Sequence, residues 1–441
     1  MRLGPEMYRR QQRALALYNA AFPPCFLAML PSALQRLARR GGYSRGFGAR
    51  FGRFDRPLAD WCRSRGPVWL ASVSVGETRL ALRIMDALRK QHPTLPILIS
   101  TTTTTAAALA LERVDAHTAF CYNPLDFTPT LRPAFDAIQP RALLGVEAFW
   151  PNLFNHAKTR SIASVWLPRI SPRSRKRYEY LGATAGALFA LADRITPGFP
   201  SEVGWLENVG VPPDRIRLTG SVKFDVAHQP AEPNASFPAL LRGMQWQLEQ
   251  DLVVIAGSTF PGEERLIAEA CRKAFSDRTW RLIVVPRHVE RRGEILRDLR
   301  EAGFTVGLRS ASAPTPADVL LVDTTGELTA WYACAEIAVV GKSFLDHRGG
   351  QNPIEPCLAG CRVITGASME NFTDISQSLD QAGLLDQTRA DAELVPSLIK
   401  AARNGSDRRN IQTATRTIIE PHQGAADRVA DLLLASVVPG L

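Results

Sequence analysis

Val340-Gly341-Lys342-Ser343-Phe344 closes an apolar run, and Gly349-Gly350-Gln351-Asn352-Pro353-Ile354-Glu355-Pro356 follows it closely. Paired glycines let an oxyanion approach backbone N–H groups, and a helix starting just beyond them presents its positive end. Asn352 suits the N-cap, Pro353 the first helical position and Glu355 the acid of a capping box. A carboxylate beside such a phosphate site also suits the hydroxyls of a ribose. On spacing alone, a plain capping box accounts for the same residues.

Other loops share this character. Ser72-Val73-Ser74-Val75-Gly76-Glu77 ends an apolar run and opens a helical pattern. Glu77 is placed there as a general base would be, or as an acid at a helix dipole. Ser100 to Thr105 is an unbroken hydroxyl run that lines a polar cleft or caps a helix. In the second half, Ala256-Gly257-Ser258-Thr259-Phe260-Pro261-Gly262-Glu263-Glu264 offers hydroxyls and amides to an anion. No Gly-Lys-Ser/Thr closes it, so it is not a Walker A loop. Val285-Pro286-Arg287-His288 supplies a guanidinium suited to a phosphate or base. Asp323-Thr324-Thr325-Gly326-Glu327-Leu328 completes the series. Four such loops in one half exceed what capping requires, and together they point to a nucleotide-type ligand. No Asp-x-Asp, dense His/Asp cluster, Ser-His-Asp set or Gly-x-Ser-x-Gly is present, so neither a metal nor a serine nucleophile is indicated.

These loops need strands behind them. Apolar runs at 68–74, 96–101, 118–122, 142–146, 162–167 and 215–219 alternate with helical periodicity at 78–91, 106–112 and 171–192. The stretch 228–237 is rich in Pro, Asn and Ser and reads as a linker. Alternation restarts with strands expected at 252–256, 281–285, 319–322 and 337–340, helices at 263–274 and 290–302, and a last amphipathic helix at 425–436. The expectation is an α/β chain of two doubly wound, Rossmann-like domains facing a central cleft. The expected division is 1–41, a basic apolar segment; 42–227, a first domain; 228–238, the linker; and 239–441, a second domain.

The chain has 441 residues, 45% hydrophobic and 22% charged, with net charge +10. Residues 1–66 hold 13 arginines against Glu6, Asp55 and Asp60, so the whole surplus sits there and the rest is balanced. Within that segment, 14–35 is uncharged and long enough to cross a bilayer, but Pro23, Pro24 and Pro31 argue against a straight span. A broken or amphipathic insertion in one leaflet is expected, with arginines at phospholipid headgroups on the cytoplasmic side. A soluble hairpin packed on the first domain is the alternative. No aromatic-interleaved basic stripe, RNP pattern or zinc knuckle accompanies the arginines, so a nucleic-acid reading is the weaker one. The seven cysteines form no Cys-x-x-Cys and read as free thiols.

In their order from about 43 to 437, these segments resemble the 3-deoxy-D-manno-octulosonic acid (Kdo) transferases. The resemblance is carried by Gly42-Tyr43 with Phe47-Gly48-Ala49-Arg50-Phe51-Gly52, by Ser72–Glu77, by the Thr101–Thr105 run, and by Phe149-Trp150-Pro151-Asn152. It continues through Thr219-Gly220-Ser221-Val222-Lys223-Phe224-Asp225, Ala256–Glu264, Pro286-Arg287-His288, Asp323–Leu328, Gly349–Pro356 and Asn371-Phe372. The resemblance implies a GT-B fold, CMP-Kdo as donor, a lipid A precursor as acceptor, no cofactor or metal, and work at the cytoplasmic face of the inner membrane. It implies an inverting mechanism with Glu77 as base. It assigns Ser258, Thr259, Arg287, His288, Gly326, Glu327, Gly350, Asn352 and Glu355 to the donor, and Ser74, Thr102, Glu147, Trp150 and Arg169 to the acceptor side. Five departures stand out. The family's second glutamate falls at Ala148, with Glu147 one place earlier. Its Gly-Ser-Thr-His reads Gly-Ser-Thr-Phe260, its Gly-Gly-His-Asn reads Gly-Gly-Gln351-Asn, its Gly-Gly-Ser reads Gly341-Lys342-Ser343, and its Asn-Ala-Arg-Leu-Ser reads Leu167-Pro168-Arg169-Ile170-Ser171. They leave open a relative with another acceptor or sugar nucleotide, or a catalytically silent scaffold.

Overall fold

The computed structural model describes residues 4–40, 46–170, 172–225, 236–405 and 407–435, without the side chains of 29–40, 172 and 173. Tyr43, Ser171 and the stretch 228–235 of the expected linker lie outside the described residues. The chain forms two compact units, one made by the chain up to 226 together with 422 onward, the other by 227–421.

The first unit carries β1 (Val68–Ala71), β2 (Ile97–Thr101), β3 (Thr118–Tyr122), β4 (Ala142–Glu147), β5 (Ala163–Pro168) and β6 (Arg194–Ile195). All pairings are parallel and the order is β3-β2-β1-β4-β5-β6. Such a sheet is covered on both faces, which is why its strands are unbroken apolar runs. Trp69, Phe135, Phe154, Trp166 and Phe189 fill one side, and Leu70, Ile84, Leu144, Val429 and Leu433 the other. Strand order reverses between β1 and β4, the switch point where open α/β sheets leave a crevice for ligands.

The second unit carries β7 (Leu252–Thr259), β8 (Trp280–Pro286), β9 (Val306–Leu308), β10 (Val319–Leu321), β11 (Ile337–Val340), β12 (Arg362–Thr365) and β13 (Leu385–Gln387), in the order β13-β12-β11-β7-β8-β10-β9. Its pairings are also parallel, and its switch point lies between β7 and β11.

Four expectations need correction. The helix Ala425–Leu434 belongs to the first unit, not the second: it buries Val429, Ala430, Leu433 and Leu434 in the core that holds the helix Val75–Gln91. An amphipathic stripe says that a helix covers something, not which sheet it covers. The segment before 226 fixes it there. Asp225 accepts from the Gly424 N–H at 2.8 Å and the Ala426 N–H at 2.6 Å, Arg428 donates to the Thr219 carbonyl at 2.8 Å, and His422 Nδ1 accepts from the Ser221 N–H at 3.1 Å. That stretch, expected as a strand over 215–219, gives a short turn Pro213–Arg215 and a single bridge from Ile216 to Ile195, with a proline opening the turn and Arg428 taking the Thr219 carbonyl. The expected long helix 171–192 is two helices, Pro172–Leu181 and Ala183–Phe189, parted at Gly182 with φ +49°.

The N-terminal helix is continuous from Pro5 to Arg40, through all three prolines. No described helix is long and apolar enough to cross a membrane. One face packs on the first unit: Leu15 enters its core, Gln11 donates to the Ala187 carbonyl at 2.6 Å, and Phe22 stacks on Phe127 at 5.2 Å. Asn19 and Asn152 exchange amide hydrogen bonds at 3.1 and 2.9 Å. These contacts, spaced for one helix face, hold the helix through Pro23 and Pro24, where each proline removes one ladder bond.

Candidate active site

Glu77 sits where β1 hands the chain to the helix Val75–Gln91. Ser74 is the N-cap: its Oγ accepts from the Glu77 N–H at 3.4 Å and donates to Glu77 Oε1 at 3.3 Å. Glu77 Oε2 accepts from the Val73 N–H at 2.7 Å. The capping reading and the chemical reading therefore describe the same carboxylate. It is buried, and desolvation, reinforced by the charge of Glu147, pushes its carboxyl up to about 7 against the Val73 and Ser74 hydrogen bonds and Arg169. A general base at neutral pH needs such a value.

Glu147 ends β4, the strand across the switch point from β1. It has φ +55°, uncommon for a residue with a Cβ. The Trp166 indole donates to its carbonyl at 3.1 Å, and its carboxylate pairs with Lys223 at 2.7 Å and Arg169 at 3.3 Å. Glu77, Glu147, Arg169 and Lys223 thus form one charged group at the crevice. Lys223 was inside a recognised segment but carried no assigned role; its partner lies far away in sequence. Thr102 lies one loop over, its hydroxyl accepting from Asn123 at 3.2 Å and its carbonyl from Arg50 at 2.7 Å. Trp150 flanks the helix Pro151–Thr159 and packs against the core.

In the second unit, the loops after β7 and β11 meet closely. A Cβ on Gly341 would fall 2.6 Å from the Ser258 carbonyl oxygen and from Thr259 Cα. Glu263 clamps them: its fully buried carboxylate accepts from the N–H groups of Phe260 (2.8 Å), Lys342 (2.7 Å), Ser343 (3.0 Å) and Phe344 (3.1 Å). Burial pushes that carboxyl above its ordinary value while the four amides pull it back. Ser258 adopts φ +56°, and the Thr259 hydroxyl donates to Glu264 at 2.8 Å. The Arg287 N–H donates to the Thr259 carbonyl at 3.0 Å, which fixes its backbone beside the loop after β7, and its side chain is exposed. His288 is exposed and pairs with Glu290 at 3.3 Å.

The loop after β11 is pinned throughout. Gly350, with φ +65°, donates to the Lys342 carbonyl at 3.0 Å, and a Cβ there would strike Met369 Sδ at 2.3 Å. The expected helix start shifts by one: Pro353 is the N-cap of Ile354–Leu358, and Asn352 accepts from the Ile354 N–H at 3.0 Å. With five residues, this helix offers little dipole, and both glycine amides are taken, that of Gly349 by Glu370 at 2.8 Å and that of Gly350 by the Lys342 carbonyl. Asn352 and Glu355 hydrogen-bond each other at 2.9 Å. Gly326 and Glu327 lie after β10, two strands from β7 with β8 between. The Glu327 carboxylate pairs with Arg309 at 3.1 Å, and against burial the Thr324 hydroxyl and Arg309 hold it below its ordinary value. No group of three or more His, Cys, Asp and Glu placed to hold a metal ion occurs among the described residues.

Residues 45–226 match the family described as 3-Deoxy-D-manno-octulosonic-acid transferase (kdotransferase). The 3-deoxy-D-manno-octulosonic acid transferase of Bordetella pertussis is 32% identical over 90% of this chain and 94% of its own. That of Haemophilus influenzae is 27% identical over 97% of this chain and 98% of its own. Among solved structures, a glycosyltransferase from Rickettsia africae covers 85% of this chain and 100% of its own with TM-score 0.55 at 12% identity, which shows a shared GT-B-like fold. On sequence identity sustained over nearly the whole length of both chains, this protein belongs to the 3-deoxy-D-manno-octulosonic acid transferase family.

Proposed function

We propose that the chain transfers Kdo from CMP-Kdo to a lipid A precursor, with inversion at the anomeric carbon. The observation that carries the mechanism is Glu77, a buried carboxylate at a switch point, raised to about 7 by desolvation and Glu147. An acceptor hydroxyl gives its proton to Glu77 as its oxygen attacks the anomeric carbon. The bond from that carbon to the CMP phosphate breaks, and CMP leaves with the electron pair. In the second unit the Ser258 and Thr259 loop and Arg287 receive the donor phosphate, with Gly350 turning the neighbouring loop past it. Asn352 and Glu355, already joined by a hydrogen bond, take the cytidine ribose. His288, edge-on to Phe260, adds a polar contact to the donor. Gly326 and Glu327, on the loop after β10, complete the donor side. Glu147, Arg169, Ser74, Thr102 and Trp150 form the acceptor side.

The N-terminal helix supplies the approach to a lipid acceptor. Opposite its packed face, Ala16, Leu17, Ala20, Pro24 and Leu27 are exposed, Leu17 by 72% and Leu27 by 64%, with no charge among them. An uncharged helical face of this kind, preceded by arginines, lies in the headgroup region of a phospholipid bilayer. The protein then works at the cytoplasmic face of the inner membrane.

The test is transfer from CMP-Kdo to lipid IVA by the parent protein and Glu77→Gln. Loss of a general base lowers turnover by about a hundredfold to ten-thousandfold with CMP affinity unchanged. Parent-like transfer by Glu77→Gln would refute the base assignment.

A further inference from the structure

Two of the departures from the family pattern touch each other. Lys342 stands in place of the second glycine of Gly-Gly-Ser, and Phe260 in place of the histidine of Gly-Ser-Thr-His. The Lys342 ammonium lies over the Phe260 ring, 5.4 Å from its centroid. The two residues come from the loops after β11 and β7, on the two sides of the second unit's switch point.

Lys342 keeps the backbone of a glycine, with φ +59°, a conformation that strains any residue bearing a Cβ. The loop does not turn to relieve it. The Lys342 N–H is bound to Glu263 at 2.7 Å, and its carbonyl accepts from Gly350 at 3.0 Å. The nearest buried carboxylate, Glu263, is spent on four backbone amides. Among the described residues no salt bridge engages the Lys342 ammonium. Phe260 is itself held, edge-on to His288 at 5.7 Å and tilted against His347 at 5.5 Å. His347 Nε2 lies 2.9 Å from the Pro261 carbonyl. The result is a strained, positioned cation with no counter-ion, seated on an aromatic ring beside the Arg287 loop. A ring face holds a cation in place without neutralising it, so the charge remains available to a ligand.

We propose that Lys342, positioned by Phe260, binds an oxyanion of the sugar-nucleotide donor. This rests on reading the second unit as the donor-binding unit. The oxyanion is the nucleotide phosphate or the sugar carboxylate, and the two are separable: CMP carries only the first, CMP-Kdo both.

The test measures CMP affinity by calorimetry and the KM for CMP-Kdo in the parent, Lys342→Met, Lys342→Gly and Phe260→Ala. Loss of a charge-assisted contact weakens binding about tenfold or more in Lys342→Met, and the deficit shrinks as salt rises. A loss seen with CMP assigns the phosphate; a loss seen only as a raised KM for CMP-Kdo assigns the carboxylate. Lys342→Gly shows the same weakening while its melting temperature rises, since the strain is relieved; a residue serving structure alone would not separate the two. Phe260→Ala gives a smaller loss, about twofold to fivefold, by freeing the lysine. Parent-like CMP affinity and parent-like KM in both Lys342 variants would overturn the proposal. Failure of the parent itself to bind CMP would overturn the donor-unit reading, and this assignment with it.

Discussion

Glu77 and Glu263 share one local signature, a glycine then a glutamate at the start of the helix that follows a unit's first strand, and put it to opposite uses. Glu263 spends both oxygens on four amides and is a clamp. Glu77 spends one oxygen on Val73 and shares the other with Ser74, so its carboxylate keeps acceptor capacity for a proton. Its raised value fixes two pH dependences. Transfer rises with pH through about 7 as the base form fills. Glu147→Gln removes a charge that disfavours the ionised form, so the acidic limb of kcat/KM moves to lower pH; an unmoved limb would show the two acids to be uncoupled. Stability runs the other way. A carboxyl raised in the folded state gives its full contribution below the ordinary value of 4.5 and loses it as pH climbs through about 7. Glu77→Gln is therefore the more stable protein at pH 8, by up to roughly 3 kcal/mol, and gains nothing at pH 4; melting curves at both pH values check this. Glu77 was legible because its strand, turn and helix are contiguous. Glu263, with the same signature, was legible only as a loop member, because three of its four amide partners come from the loop after β11. Lys223 was missed as a functional residue for the same reason.

Elements were legible where the chain repeats a period for long enough. Most buried strands of both sheets read directly as apolar runs, though the interior strand Arg362–Thr365 did not, and the helices 75–91 and 263–274 read as amphipathic stripes. The edge strands Val306–Leu308 and Leu385–Gln387 were not, since three residues carry no period. Nor was the continuity of the N-terminal helix, which tertiary contacts at Gln11, Leu15, Asn19 and Phe22 decide against proline propensity. That helix yields a test of membrane docking that spares its packed face: Leu17→Glu with Leu27→Glu shifts the protein out of the membrane fraction while the melting temperature holds. An unchanged membrane fraction would refute docking through this face. In the second unit, a Cβ on Gly366 would lie 2.0 Å from the Ser343 carbonyl oxygen. Gly366→Ala must push the Ser343–Phe344 backbone off Glu263, so CMP affinity falls together with a stability loss of about 2 kcal/mol or more, read by calorimetry and urea titration.

At the scale of the whole molecule, two parallel sheets were legible from strand–helix alternation, but the ownership of the last helix was not. Ala425–Leu434 passes over the unit that precedes it in sequence and completes the one that began the chain. Cutting the chain after Pro421 would strip Val429, Ala430, Leu433 and Leu434 from the first core and leave the second core intact. The truncated protein is expected to keep a protease-resistant second unit and lose the first to digestion; equal resistance of both would refute this. The same arrangement orders events in time. A ribosome delivers the Glu77 loop well before the helix that supports its unit, since Asp225, Ser221 and Thr219 bind residues 422–428, and Lys223 lies among them. Domains usually mature as they emerge, first-made first. Here the first unit waits for residues 422–434, so a chain halted before them carries a closed second core and an unfinished crevice around Glu77.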